Sequence, residues 1–376
     1  MMAKRASSAD VVIIGGGLMG CACALYLARQ GIKSLVLERS VPGAEASSAA
    51  AGMLAPQAEA HGPGPMTELM ARSAKLYPAF CQALQEATGI DVGYRQLGSI
   101  RIAQTPSQLG KLRASIKWQA NGSQLARVMP KAALQRLEPA LGPNLGGVLY
   151  PRDGQVDPRA LFKAVHIAAE RAGVRFETGR TVRCLTGRGE RVDGAELEDG
   201  TRFTSGHVVI AAGSWTSLVR GHGLSSKSII PARGQILELE SPAPVIERVV
   251  FGPHCYLVPR TDGRTLVGST LEFVGYERAV TALAARDLLT GALRLAPALK
   301  TAQLRQTWSN FRPYTPDQLP ILGTAHRRGL LFAAGHYRTG ILLAPVTAEI
   351  ICRVVQGRRA PLSLRPFSPR RYLASE

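Results

Sequence analysis

Two arginines and a tyrosine in the second half of the chain could do chemistry on a small acid. Arg312 stands before Pro313 in Trp308-Ser309-Asn310-Phe311-Arg312-Pro313-Tyr314-Thr315-Pro316-Asp317, and Arg338 stands among glycines in Gly335-His336-Tyr337-Arg338-Thr339-Gly340. A guanidinium fork grips a carboxylate through two parallel hydrogen bonds. Tyr256 opens a strand-like run, Tyr256-Leu257-Val258-Pro259-Arg260, and brings a hydroxyl. Taken singly, each arginine reads as a surface ion pair and Tyr256 as a core aromatic. Arg338 differs in sitting at a strand-to-helix junction, where packing gives no reason for an arginine. The helix after Gly340 would turn its positive N-terminal end toward the same junction, where it can stabilise negative charge.

The other chemical signature is a glycine spacing near the start. Val11-Val12-Ile13-Ile14 is apolar and β-branched and reads as a buried strand. It runs into Gly15-x-Gly17-x-x-Gly20, then a helix expected from about Cys21 to Gln30 with Gly31 as its stop, then a strand Ser34–Leu37 ending in Glu38. Strand, glycine turn, helix, strand and acid occur in the order of a dinucleotide-binding fingerprint. Gly15 permits the tight turn, Gly17 lets backbone approach a pyrophosphate, and Gly20 lets helix and strand pack closely. The helix amides then face the phosphates. Glu38 can accept from both ribose hydroxyls and would repel a 2′-phosphate, which argues against NADP. The small residues that follow, Gly43–Pro56, suit a wall against a flat ligand.

These groups need a scaffold, and its elements are partly legible. Pro65–Thr88 reads as a helix with Leu69, Leu76, Phe80 and Leu84 on one side and Pro78 as a kink. Ile90–Ala103 alternates toward strand around Gly98. Ser107–Leu141 is polar and reads as helical, broken at Pro130 and Pro139. Gly146–Tyr150 is a short strand. Asp157 is placed to cap a helix over Ala160–Ala172, with Pro158 in its first turn. Strands are expected at Val174–Glu177, Thr181–Leu185 and Val208–Ala211, with a hairpin turn at Asp199-Gly200. Ile229–Thr270 is rich in strand, Ala279–Leu295 is helical, and a strand over Gly329–Gly335 leads into a helix running to Val355. The pattern predicts an α/β protein: a discontinuous cofactor domain (1–90, 151–228 and 305–376) and a substrate domain with a mostly antiparallel sheet (91–150 and 229–304).

Composition narrows the class. The chain has 376 residues, 45% hydrophobic and 19% charged, as expected of a globular enzyme. No apolar stretch is long enough to span a bilayer. The basic start, Met1–Asp10, leads into the first strand and not into a signal-peptide core, so a cytoplasmic location is expected. Six scattered cysteines form no CxxC pair, and the seven histidines show no metal-ligand spacing, which points to free thiols and no metal. The net charge of +19, from 46 basic against 27 acidic residues, would draw anionic substrates. It lacks the basic stripe with aromatic platforms that nucleic-acid binding asks for.

Five segments together carry a family resemblance: Ile14-Gly15-Gly16-Gly17-Leu18-Met19-Gly20, Ser48-Ala49-Ala50-Ala51-Gly52-Met53-Leu54, Cys255-Tyr256-Leu257-Val258-Pro259-Arg260, Phe311-Arg312-Pro313 and Ala334–Pro345. On them the chain resembles the D-amino-acid-oxidase-like FAD-dependent oxidoreductases, most closely the glycine oxidases of thiamine biosynthesis. The resemblance implies a Rossmann-like FAD-binding domain holding FAD without a covalent link. It implies contacts from Leu18, Met19, Glu38, Arg39, Ala46, Ser47, Ala51, Gly52 and Met53, from Val182 at the adenine, and from His336, Tyr337, Arg338, Thr339, Gly340, Ile341 and Leu342 at the flavin. It further implies Arg312 and Arg338 on a substrate carboxylate with Tyr256 beside them, and oxidation of glycine or another small amino acid by molecular oxygen. The product would feed the thiamine thiazole pathway. Thr339 departs from the family's usual Asn, and Tyr314 from its usual small residue. Two other readings are a dehydrogenase acting on D-amino or N-substituted amino acids and a tRNA-modifying flavoprotein. The oligomeric state is left open, a homo-oligomer included.

Overall fold

The β-branched run at the start folds as strand Ala9–Ile14, with Val11–Ile14 buried. Its alternation divides two cores. Val11 and Ile13 face a helical layer, whereas Val12 and Ile14 pack on the opposite side with Leu35, Leu37, Ile210 and Phe332. The structure, a computed structural model, describes residues 8–119 and 126–373. In its first sheet the strands lie in the order Ile321–Thr324, Leu330–Ala334, Arg202–Ile210, Ala9–Ile14, Ser34–Leu37 and Arg175–Glu177. All neighbours are parallel except the first pair. The hairpin strands Val182–Thr186 and Gly194–Leu197 hang from Arg202–Ile210. Helices Leu18–Ala28, Pro65–Thr88, Pro158–Arg171 and Gly340–Val355 cover one face. Helices on a parallel sheet, joined by crossovers, are what buried β-branched strands require.

The second sheet runs Gln303–Tyr314, Ile230–Glu240, Arg264–Gly268, Tyr256–Pro259, Val249–Phe251, Ser99–Ile102, Gly147–Tyr150 and Arg127–Met129. It is antiparallel except where Val249–Phe251 meets Ser99–Ile102. Helix Ala282–Leu295 packs on one face, against Leu237, Leu257 and Val267. The other face, with Ile236, Tyr256 and Val258, packs on Ala51, Ala55 and Ala58 of the small-residue segment. That contact is the junction between the two sheets.

Several expectations change. The first helix starts at Leu18, three residues before the expected Cys21, because Gly17 already serves as its N-cap. Pro65–Thr88 is continuous through Pro78. Of Ile90–Ala103 only Ser99–Ile102 is strand; Gly98, at φ 83°, interrupts the run. Ser107–Leu141 is not one helical stretch. It holds helices Pro106–Ser115 and Lys131–Leu137 and an edge strand Arg127–Met129, paired with Gly147–Tyr150. Pairing to a sheet edge overrode a weak local preference; residues 120–125 of that stretch lie outside the described residues. The expected boundary at 304/305 falls inside strand Gln303–Tyr314, which pairs along Ile230–Glu240 in the second sheet. Asp157 caps its helix as expected, accepting from the N–H groups of Arg159 (2.9 Å) and Ala160 (3.3 Å).

Candidate active site

A cavity of about 530 Å³ opens at the junction of the two sheets, lined from both. At one end the glycine turn makes its wall. Gly15 has φ 108°, and a Cβ there would stand 2.6 Å from the Ala211 carbonyl oxygen. Glu38 is buried and turned back on the turn itself, accepting from Gly16 N–H (2.7 Å) and Ser40 N–H (2.9 Å). Ser47 Oγ accepts from Leu18 N–H (2.8 Å), joining the small-residue segment to the start of the first helix. Arg39 lies over the Trp215 ring at 4.0 Å and pairs with Glu45. Val182, Thr181 and Arg180 line the same cavity, and the buried Arg180 Nε has no hydrogen-bond partner among the described residues.

The small-residue wall is pinned by the second sheet. Arg260 donates to the Ala51 carbonyl (2.6 Å) and to Gln155 Oε1 (3.1 Å), and Trp308 Nε1 donates to the Ala49 carbonyl (3.0 Å). Burial pulls the Arg260 guanidinium down to about 10, so it remains a cation at neutral pH. A Cβ on Gly52 would stand 2.1 Å from the Val156 carbonyl oxygen.

At the other end the three residues expected to bind an acid meet. Tyr256, Arg312 and Arg338 all line the cavity. The two arginine motifs are joined backbone to backbone, Tyr337 N–H donating to the Pro313 carbonyl (3.1 Å). Tyr337 is held at φ 46°, a region that costs a non-glycine residue strain and tends to occur at functional sites. Arg312 donates to the Thr270 carbonyl (3.2 Å) and to Ser269 Oγ, and its guanidinium lies so close over Gly234 that a Cβ there would collide with it. Arg338 pairs with Glu59 through Nη2 (2.6 Å) and Nε (3.2 Å). The Glu59 carboxylate holds the Arg338 guanidinium more firmly protonated than usual. His336 is buried, its Nε2 3.0 Å from Thr347 Oγ1, and burial pulls its imidazole down to about 3, so it is neutral in the cavity wall. Gly340 and Ile341, the first residues of the last helix, complete this end.

Seventeen of the twenty cofactor-binding residues expected from sequence therefore line the cavity, and three do not. Gly20 packs beneath the turn, where a Cβ would stand 1.9 Å from the Gly15 carbonyl oxygen. Leu342 is buried among the helices, its carbonyl accepting from Ser73 Oγ (2.6 Å). Thr339 faces a neighbouring cavity, and its hydroxyl donates to the His336 carbonyl (3.1 Å). The sequence reasoning missed Glu59, Ser269, Trp215 and Arg180. Glu59 is a lone acid 279 positions from Arg338, and no local pattern announces the pairing. The resident group implied by the resemblance fits these residues. A glycine turn, a buried acid at a strand tip, a small-residue wall with no room for a Cβ at Gly52 and a helix N-terminus occur along one cavity.

The sequence pattern of one family, described as DAO, FAD dependent oxidoreductase, matches residues 10–354. The chain is 36% identical over 376 residues to a glycine oxidase of Geobacillus kaustophilus, covering 97% of each chain. It is 38% identical over 369 residues to a bifunctional protein ThiO/ThiG of Trichormus variabilis; the match covers 96% of this chain but 55% of that protein, so the chain spans about half the length of these bifunctional relatives. The crystal structure of glycine oxidase from Geobacillus kaustophilus superposes with a TM-score of 0.94 at 34% identity, over 98% of this chain and 100% of that one. No helix among the described residues is long and apolar enough to cross a membrane.

Proposed function

The chain belongs to the DAO family of FAD-dependent oxidoreductases, and on that premise we propose that it oxidises glycine or another small amino acid with molecular oxygen. The products are a 2-oxo acid, ammonia and hydrogen peroxide, and glycine oxidation here supplies the thiazole branch of thiamine biosynthesis. The observation that carries the reading is the meeting of Arg312, Arg338 and Tyr256 on the cavity that the glycine turn opens. The bound flavin supplies the two-electron acceptor for a hydride from Cα.

The chain's own groups do the rest. Arg312, steadied by Ser269 and the Thr270 carbonyl, offers a guanidinium edge to the substrate carboxylate. Arg338 is the second fork, its charge already half-answered by Glu59. Tyr256 lines the same end, its ring so close over Gly268 of the neighbouring strand that a Cβ there would stand 2.4 Å from the hydroxyl. The neutral His336 adds no competing charge. The last helix points its N-terminal amides into the same space, where they stabilise negative charge. Catalysis is then chiefly orientation and electrostatics, with the amine bound unprotonated and no dedicated base required.

A peroxide-coupled screen of the purified yellow protein tests this. Glycine, sarcosine or D-alanine should yield peroxide in step with oxygen uptake. Turnover of these amines only with an artificial acceptor, and no peroxide, would replace the oxidase with a dehydrogenase.

A further inference from the structure

Tyr337, the residue before Arg338, stands at φ 46° in the cavity wall. A non-glycine residue keeps that conformation only where its surroundings impose it. Two contacts do so here. The Tyr337 N–H donates to the Pro313 carbonyl (3.1 Å), and the Tyr337 ring meets Tyr314 edge to face, with 5.0 Å between ring centres and 83° between planes. Tyr314 also meets Phe273 edge to face, at 5.0 Å and 72°. Rings at such distances and angles attract each other beyond the area they bury. Phe273 belongs to the segment after strand Arg264–Gly268, the same segment whose Ser269 and Thr270 hold Arg312. Three rings in a row therefore connect the support of Arg312 to the residue that carries Arg338 into the site. Tyr314 is the middle ring. It is half-buried and does not itself line the cavity, and its hydroxyl reaches only the Pro316 carbonyl, at 3.5 Å.

We propose that Tyr314 is a positioning residue for the substrate carboxylate: its ring fixes where Arg338 stands relative to Arg312, through Tyr337 on one side and Phe273 on the other. The inference rests on the reading of the two arginines as the carboxylate pair. Tyr314 acts on them without touching the substrate. Two guanidinium forks grip one small acid only at a set spacing, and a misplacement of about 1 Å costs on the order of 100-fold. Trimming the ring leaves Arg338 its charge and its Glu59 partner, but frees Tyr337 to leave φ 46°.

The test uses the holoenzyme, with Tyr314→Ala, Tyr314→Phe and Phe273→Ala beside it. Acetate, as a bare carboxylate, is titrated by flavin absorbance. Peroxide-coupled kcat and KM are measured with glycine, and melting temperature is recorded. Tyr314→Ala should bind acetate about tenfold more weakly and raise KM about tenfold, with kcat within about threefold, because the lost grip is on a group that does not react. Tyr314→Phe keeps the ring and should match wild type in both readouts. Phe273 is 55% exposed, so its truncation spares the fold. Phe273→Ala should weaken acetate about threefold with the melting temperature unchanged. A Tyr314→Ala variant that melts lower but binds acetate and glycine like wild type would make Tyr314 a structural residue and overturn the proposal. So would a Tyr314→Phe variant as weak as Tyr314→Ala, since the effect would then belong to the hydroxyl. If Tyr314→Ala fails to fold or to keep FAD, Phe273→Ala decides: weaker acetate supports the proposal, and wild-type binding overturns it. If no amine gives peroxide, the oxidase reading fails by itself and the acetate titrations still judge Tyr314. No response of wild-type flavin to acetate would remove the carboxylate pair and this proposal with it.

Discussion

The two ends of the main cavity are built by different means. The nucleotide end comes from one short stretch. A glycine turn, the helix it starts and the acid of the next strand fold onto one another, with Glu38 accepting from the turn's own Gly16 N–H. The end proposed to bind the substrate acid is assembled from Glu59, Tyr256, Ser269, Arg312 and Arg338, brought together by two sheets and a backbone bond between Tyr337 and Pro313. The first end is specified by backbone shape and has no room for change. The second is specified by side-chain charge, each group preset by a neighbour, and a single substitution can retune it.

Arg312→Ala separates the ends most sharply. We expect kcat/KM for glycine to fall about 100-fold, the size of losing a charge-assisted contact, while the yellow FAD spectrum stays intact. Unchanged steady-state kinetics would take Arg312 out of the site. Gly20→Ala should do the reverse. Its Cβ would stand 1.9 Å from the Gly15 carbonyl, so the variant should lose about 1–3 kcal/mol of stability and release FAD on gel filtration. A variant that melts like wild type and keeps its flavin would show that the turn can relax.

Smaller effects probe the presetting of charge. Glu59→Gln removes the carboxylate that competes for Arg338, so acetate, as a bare carboxylate, should bind about threefold tighter by flavin absorbance titration. Weaker binding would mean that Glu59 holds Arg338 in place more than it competes. The smallest expected effect concerns the support of that loop. Asp153 is fully buried and accepts from Gln57 N–H (2.9 Å), Ala58 N–H (3.1 Å) and Ser99 Oγ (2.6 Å). Burial pushes its carboxyl up to about 7 against those donors. The native state then holds this proton more tightly than the unfolded chain, whose value is about 4. The stability it contributes is present below about pH 4 and is lost as pH rises through about 7. Melting temperature should therefore fall between about pH 5 and about pH 8 in wild type, and fall less in Asp153→Asn. Parallel pH profiles would remove Asp153 from that role.

The strands and helices bearing strong patterns were readable. Ser34–Leu37 and Pro65–Thr88 fall where apolar spacing and punctuation put them, because local preference and burial agree there. The range Ser107–Leu141 misled because its short edge strand, Arg127–Met129, takes its conformation from a partner strand and not from its own residues. Arg338 was legible as an arginine out of place, whereas its partner Glu59 was not. A lone carboxylate has no period and no spacing to betray it.

The sequence alone determined the glycine turn, the acid that closes on it and the helix start that faces the cavity. Each depends on φ angles, hydrogen bonds and steric limits among residues close along the chain, which residue type dictates. Only the tertiary structure decided that Arg312 and Arg338 share one cavity and that Glu59 pairs with one of them. Glu59 and Arg338 stand 279 positions apart, and charge acts through space rather than along the chain.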